Sequence, residues 1–206
     1  MLALNRLPNQ PGTYLLVLAC RHARCVQIGR LGRVRLEPGY YLYVGSALGP
    51  GGLRPRVRHH WRKAAQPHWH CDYLRRACVP VAVWFLTGPR RLEHAWARRL
   101  AQLPPVTVPL RGFGASDCTC AAHLFFVRTS AALARVRHHL QAASTTRIQD
   151  WGPQTSGWSS HRQLKHRGDP VALKPKARNP KHQRKSKTQN TEIQNGHSTN
   201  GYGGLP

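Results

Sequence analysis

Two groups of residues in this 206-residue chain have types and spacings that could do chemistry. The first comprises Tyr14 in Gly12-Thr-Tyr14, Tyr43 in Tyr43-Val-Gly45, Arg56 with His60 four residues later, and Glu93. The second is Cys118-Thr-Cys120-Ala-Ala-His123, with His68, His70 and Cys71 upstream. The acids narrow what the first group can do. From Met1 through Leu140 the carboxylates are Glu37, Asp72, Glu93 and Asp117 alone. Hydrolases that clamp two metal ions use several clustered carboxylates, which this chain could hardly supply. One metal ion on one carboxylate, supported by Arg and Tyr, fits the inventory better. In the second group, Cys118, Cys120 and His123 with His70 as fourth ligand could hold zinc. The Cys-x-Cys-x-x-His spacing is not a usual zinc-finger spacing, and buried cysteines more often behave as small apolar residues. A third option puts Ser116, Asp117 and His70 at the rim of the first group's site.

The elements that must position these residues read as a mixed α/β (α+β) domain over residues 1–143, a small antiparallel-based sheet flanked by helices. Gly12–Ala19 has strand composition after a Pro-Gly turn, and Tyr40–Ser46 follows Pro38-Gly39 as another strand. Between them an extended stretch near Cys25–Leu36 bends at Gly29 and Gly32. Leu53, Val57 and Trp61 recur every four residues, the buried stripe of an amphipathic helix, and Pro55 suits its first position. Arg54, Arg58 and Arg62 form a second stripe with Lys63 just beyond, a surface suited to DNA phosphates; Arg56 and His60 share a third face. Val79–Leu86 reads as a strand, and Arg91–Leu103 as a helix with Leu92, Trp96, Leu100 and Leu103 inward. His123–Val127 reads as a last strand and Ala131–Ala143 as a closing helix.

From residue 144 to 206 the chain is rich in Gln, Ser, Thr, Asn, Gly, Pro and Lys, and a disordered basic tail is expected there. The whole chain carries a formal charge of +25, from 32 Lys and Arg against 7 Asp and Glu. Such a surface suits a polyanion, because each Lys or Arg that neutralises a phosphate releases condensed counterions. DNA is the expected partner, with RNA an alternative. No amphipathic helix with a large apolar face and no run of membrane-spanning length is evident, so no membrane partner is expected. The N-terminal stretch lacks the apolar run of a signal peptide. A cytoplasmic location, at the nucleoid in a bacterium, is therefore expected, with the six cysteines as reduced thiols or metal ligands.

The ordered set GTY, YVG, Arg56 with His60, then Glu93 resembles the GIY-YIG nuclease superfamily. Within it the chain is similar to a branch of stand-alone proteins without an agreed function. The similarity rests on GGLRPRVRHH, on HWHCDYL (68–74) and on the run from Phe113 to Phe125, and covers about residues 10–140. Two departures stand out. The spacer between GTY and YVG is long, which suggests an extra hairpin, and an Asn that many members carry after the Glu helix has no match, leaving Asp117 or His123 to take its place.

The resemblance implies a metal-dependent endonuclease that hydrolyses DNA phosphodiester bonds. Glu93 would hold one Mg²⁺ or Mn²⁺ ion, and Arg56, just inside a helix N-terminus that is itself an anion site, would bind phosphate oxygens. Tyr14 or Tyr43 would act as general base or orient the water, and His60 would orient Arg56 or share the proton transfer. Two other readings compete: a non-catalytic nucleic-acid-binding module that keeps the fold, and a zinc-stabilised RNA-binding protein whose HWHCDYL aromatics stack on unpaired bases.

Overall fold

The run Gly12-Thr-Tyr-Leu-Leu-Val-Leu-Ala-Cys20 is apolar at nearly every position, which a strand needs only when both of its faces are covered. In the computed structural model, which describes residues 4–152, this run forms strand β1 (Gly12–Cys20). The chain continues through a hairpin of β2 (Arg24–Gln27) and β3 (Arg33–Leu36), then β4 (Gly39–Ala47), helices α1 (Leu53–Trp61) and α2 (His70–Leu74), and β5 (Val79–Thr87). Helix α3 (Glu93–Ala101), β6 (Leu124–Val127), α4 (Ser130–Ala142) and β7 (Gln149–Trp151) complete the described chain. Five strands form one sheet in the order β6-β4-β1-β5-β7, and every neighbouring pair is antiparallel.

Because strand side chains alternate between faces, β1 feeds two cores. Tyr14, Leu16, Leu18 and Cys20 pack with Leu53 and Val57 of α1 and with Cys71 and Leu74 of α2. Leu15 and Val17 pack with Trp96, Ala97 and Leu100 of α3 and with Leu133, Val136 and Leu140 of α4. The sheet is thus the middle layer, with α1 and α2 on one side and α3 and α4 on the other. The β2–β3 pair forms a separate two-stranded sheet inserted between β1 and β4, the extra hairpin that the long spacer suggests. Among the described residues no helix is long and apolar enough to cross a membrane.

Several local readings change. Helix α1 begins at Leu53, so Pro55 is its third residue rather than its first, still within the turn whose N–H groups lack helical partners. Arg62 lies just past the helix as its C-cap. Short helix α2 carries no periodic signal of its own. The sheet also gains β7, which pairs Gln149–Trp151 with Val83–Phe85 and carries the folded chain beyond residue 143. The basic run of the expected tail lies outside the described residues.

Gly45 of the YVG run shows why a side chain is missing there. It pairs with Tyr14 across the β1–β4 ladder, and the phenol end of the Tyr14 ring occupies the space a side chain would take. A Cβ at Gly45 would come within 2.5 Å of Tyr14 Cζ and Oη. A Cβ at Gly49, by contrast, would meet nothing within 4 Å. Gly45→Ala should therefore cost on the order of 1–3 kcal/mol through overpacking, while Gly49→Ala stays near neutral. Urea titration of both variants measures the difference, and equal midpoints would contradict this packing.

Candidate functional site

Along β4, strand β6 pairs with Tyr40–Tyr43, and the Val44 N–H donates to the His123 carbonyl just before it, so the ladder stops short of the far end of β4. There the layers on the two faces of the sheet can reach one space. A cleft of ≈ 840 Å³ opens at this end, lined among others by Tyr43, Ser46, Arg56, Trp69, Glu93 and Asp117. Arg56 arrives on α1 from one side of the sheet and Glu93 on α3 from the other.

Glu93 is the first residue of α3, and the start of that helix is fixed by the neighbour of Tyr14. The Leu92 N–H donates to Thr13 Oγ1 over 3.1 Å, tying α3 to β1. Ser46 Oγ donates to Glu93 Oε2 at 2.6 Å, and His123 Nδ1 lies 3.0 Å from Oε1. Arg91 stands further off, 3.8 Å from Oε2. Burial alone would raise the carboxyl pKa, but the contacts with His123 and Ser46 outweigh it and hold the group below its ordinary value.

Arg56 is held by stacking rather than by an acid. Its guanidinium carbon sits 4.2 Å from the centre of the Trp69 ring, a cation–π contact. Its Nε is buried with no hydrogen-bond partner among the described residues. Trp69 is fixed in turn by Asp72, whose carboxylate accepts the backbone N–H groups of Trp69 (3.0 Å) and His68 (3.1 Å). His59 Nε2 lies 3.2 Å from the other oxygen of Asp72.

Tyr43 lines the floor of the cleft, with the buried rings of Tyr14 and His60 beside it. Tyr14 and Tyr43 lie edge to face with ring centres 6.4 Å apart, and His60 is 6.0 Å from Tyr14 and 5.5 Å from Tyr43. Burial raises both phenol pKa values, with the neighbouring Tyr43 adding to the rise at Tyr14, and the Arg56 charge offsets only part of it. Burial lowers the His60 pKa. All three groups are therefore neutral at pH 7. His60 Nδ1 is 3.8 Å from Asp72 Oδ1, beyond hydrogen-bond range, and neither ring nitrogen has a partner among the described residues.

The other expected residues are distributed less evenly. Tyr14 lies under the floor beside Tyr43. Arg54 is tethered, its Nε donating to the Leu7 carbonyl at 2.6 Å. Arg58, Arg62 and Lys63 are exposed and lie outside the cleft lining. The N-terminus of α1 is not an anion site: its first two N–H groups donate to Gln10 (3.0 Å) and Pro8 (3.1 Å), and Pro55 has none. His70 and Ser116 line the cleft with Asp117, as the rim option expects. His70 does not join the cysteines, because its Nδ1 accepts the Gly114 N–H at 3.0 Å. His94 takes that place beside Cys118 and His123. The sequence alone does not single out Asp72, His59 or His94 as site residues, and it offers Trp69 only as a ring for stacking on bases. A signal existed for Asp72, since an acid three residues after Trp69 can reach back to the N–H groups at a helix start.

A family model described as "Domain of unknown function DUF123" matches residues 13–145, which include every residue of the cleft named above. No curated protein and no solved structure matches significantly.

Asp72 offers a test of this architecture. Burial pushes its pKa up, but the nearby His60 ring, the Trp69 and His68 N–H groups and His59 together pull it well below the ordinary carboxyl value. A carboxyl whose pKa is depressed on folding adds stability above its unfolded pKa, and that stability is lost as pH falls through the folded value. Asp72→Asn should thus cost about 1–3 kcal/mol at pH 7. The gap to wild type should narrow as pH drops below about 4, the unfolded carboxyl range. Denaturant titrations at neutral and acid pH report this, and a gap that does not change with pH would contradict it.

Proposed function

The chain belongs to the DUF123 family, a domain of unknown function, and we propose that its cleft hydrolyses phosphodiester bonds of DNA as a metal-dependent endonuclease. The observation that carries this reading is the meeting of Arg56 and Glu93, from opposite faces of the sheet, across a cleft floored by Tyr43. Their order along the chain, with GTY and YVG before them, resembles the GIY-YIG nuclease superfamily. A chain with 32 Lys and Arg against 7 Asp and Glu supplies the electrostatic attraction that a polyanionic substrate needs.

The roles follow from what each group has free. Among the described residues the Arg56 guanidinium stacks on Trp69 and forms no ion pair, so its forked donors are available for phosphate oxygens. Glu93 has carboxylate lone pairs beyond those facing Ser46 and His123, and exposed Asp117 lines the same cleft. This oxygen-rich set suits a hard divalent cation such as Mg²⁺ or Mn²⁺, with Glu93 as its principal ligand. When bound, such an ion supplies positive charge to the reacting phosphate and leaving oxygen.

Tyr43 presents a protonated phenol to the cleft and orients the attacking water. To act as a base it must lose its proton, which the positive charge of Arg56 favours and burial opposes. The neutral imidazole of His60 lies edge-on beside the Tyr43 ring, its nitrogens without hydrogen-bond partners among the described residues. Arg58, Arg62 and Lys63, exposed on and just beyond α1, give the substrate backbone contacts without sequence information.

The test is cleavage of plasmid, duplex, flap and single-stranded DNA in Mg²⁺, Mn²⁺ or EDTA. Wild type should cut at least one substrate only with metal. Glu93→Ala and Arg56→Ala should each lower the rate by about a hundredfold or more, the scale for losing a group that stabilises transition-state charge. Both should keep salt-sensitive binding. Tight binding without metal-dependent cleavage of any substrate would replace the nuclease by a non-catalytic nucleic-acid-binding module.

A further inference from the structure

Behind Glu93, on the side of α3 that meets the loop before β6, three side chains outside the cleft lining bring soft donor atoms together. His94, Cys118 and His123 each offer a ligand atom, and these atoms all lie within 4.8 Å of one another. Cys118 Sγ and His123 Nε2 are 3.4 Å apart. Bond lengths of about 2.3 Å to sulfur and 2.0–2.1 Å to nitrogen in a tetrahedral site require a separation of about 3.6 Å. The pair is therefore spaced nearly as a shared ion would space it. His123 is itself buried, while His94 and Cys118 are partly exposed, so the site has an entry path.

The other nitrogen of His123 strengthens the case. Its Nδ1 lies 3.0 Å from the Glu93 carboxylate, off the line of a hydrogen bond, and its Nε2 lies beside Cys118 Sγ. A carboxylate behind a ligating histidine is the usual outer support of a metal-bound imidazole. Cys120, partly exposed, stands two residues from Cys118 on the same loop.

The local chain has a use for such an ion. Between the end of α3 at Ala101 and the start of β6 at Leu124, the chain forms no helix or strand, only one isolated bridge at Thr107. Loops of this length without regular structure are uncommon unless something ties them down. This one carries Gly114, Ser116 and Asp117 to the cleft rim.

We propose that His94, Cys118 and His123, with Cys120 from the same loop completing the set, bind one structural Zn²⁺ ion that staples the rim loop to α3. Thiolate and imidazole donors select zinc over the hard cations suited to Glu93. On binding, Cys118 and Cys120 each release a proton, and two thiolates balance the charge of the ion. The proposal rests on the juxtaposition of His94, Cys118 and His123 and does not depend on the nuclease reading.

The experiment uses untagged, full-length protein, its zinc content measured by elemental analysis and its cobalt-substituted form by visible absorption. Wild type should hold about one equivalent of zinc, and the cobalt form should show a thiolate-to-metal charge-transfer band. Cys118→Ser and His94→Ala should each lower the zinc content at least tenfold. Cys25→Ser, altering an exposed cysteine on β2, should leave it unchanged. Wild type with less than about a tenth of an equivalent and no charge-transfer band would overturn the proposal. So would a folded Cys118→Ser variant that keeps its zinc. The wild-type cobalt spectrum decides the matter even where a variant fails to fold.

Discussion

Strand β1 is covered on both faces, and the alternation of its side chains is the constraint from which the cleft follows. Thr13 and Tyr14 are neighbours in sequence and must point to opposite sides of the sheet. On one side Thr13 accepts the Leu92 N–H and so fixes where α3 begins, with Glu93 as its first residue. On the other, Tyr14 lies over Gly45 and beside His60, setting the floor under Arg56. A shift of one residue in the register of β1 would exchange these two roles. The buried aliphatics Leu15, Leu16, Val17 and Leu18, divided between two cores, make such a shift costly. Two catalytic candidates far apart in sequence are thus held in one cleft by adjacent residues of a single strand.

The cleft also keeps opposite charges from neutralising each other. Arg56 and Glu93 line the same space, yet each is held by a different kind of partner. Arg56 rests on the face of Trp69, which restrains the guanidinium without consuming its donors. Glu93 is held by a serine hydroxyl and a histidine, with Arg91 no closer than 3.8 Å. A bidentate Arg–carboxylate pair would have satisfied both groups and left neither free for a ligand. Asp72 performs the opposite task. Buried and saturated with hydrogen bonds, it reaches no ligand and instead fixes the Trp69 backbone on which Arg56 depends.

How legible this was in the sequence depended on the range of the interactions. The strands Gly12–Cys20 and Gly39–Ala47 and the helices carrying Arg56 and Glu93 follow local periodicity and turn residues, and they sit within a few residues of the expected bounds. Helix α2 is too short at five residues to show a period, and three-residue β7 owes its place to pairing with β5 rather than to its own composition. Tyr43, Arg56 and Glu93 could be picked out by type and order. His94 could not, because nothing in its neighbourhood signals that the loop at Cys118 folds back against it. The expected ligand His70 was a reasonable choice by proximity to other histidines, but its ring is occupied with the Gly114 N–H. Contacts between residues distant in sequence decide such cases, and spacing alone carries no record of them.

The opening of α1 shows how a local feature can mislead for a physical reason. A glycine-rich turn before a helix normally leaves free N–H groups that favour an anion. Here the chain before β1 runs back across that helix end. Gly52, at φ 63°, permits the approach, since a Cβ there would strike the Gln10 carbonyl. The carbonyls of Gln10 and Pro8 then take the first two N–H groups, and the Leu7 carbonyl takes Arg54 Nε. With the backbone donors spent, positive charge at this wall of the cleft has to come from a side chain. Arg56 is the α1 arginine that lines the cleft, and its stack on Trp69 restricts the motion that a free arginine would lose on binding. The capped helix end and the stacked arginine are therefore two parts of one arrangement, in which a guanidinium resting on a ring, rather than the helix terminus, presents free donors to the cleft.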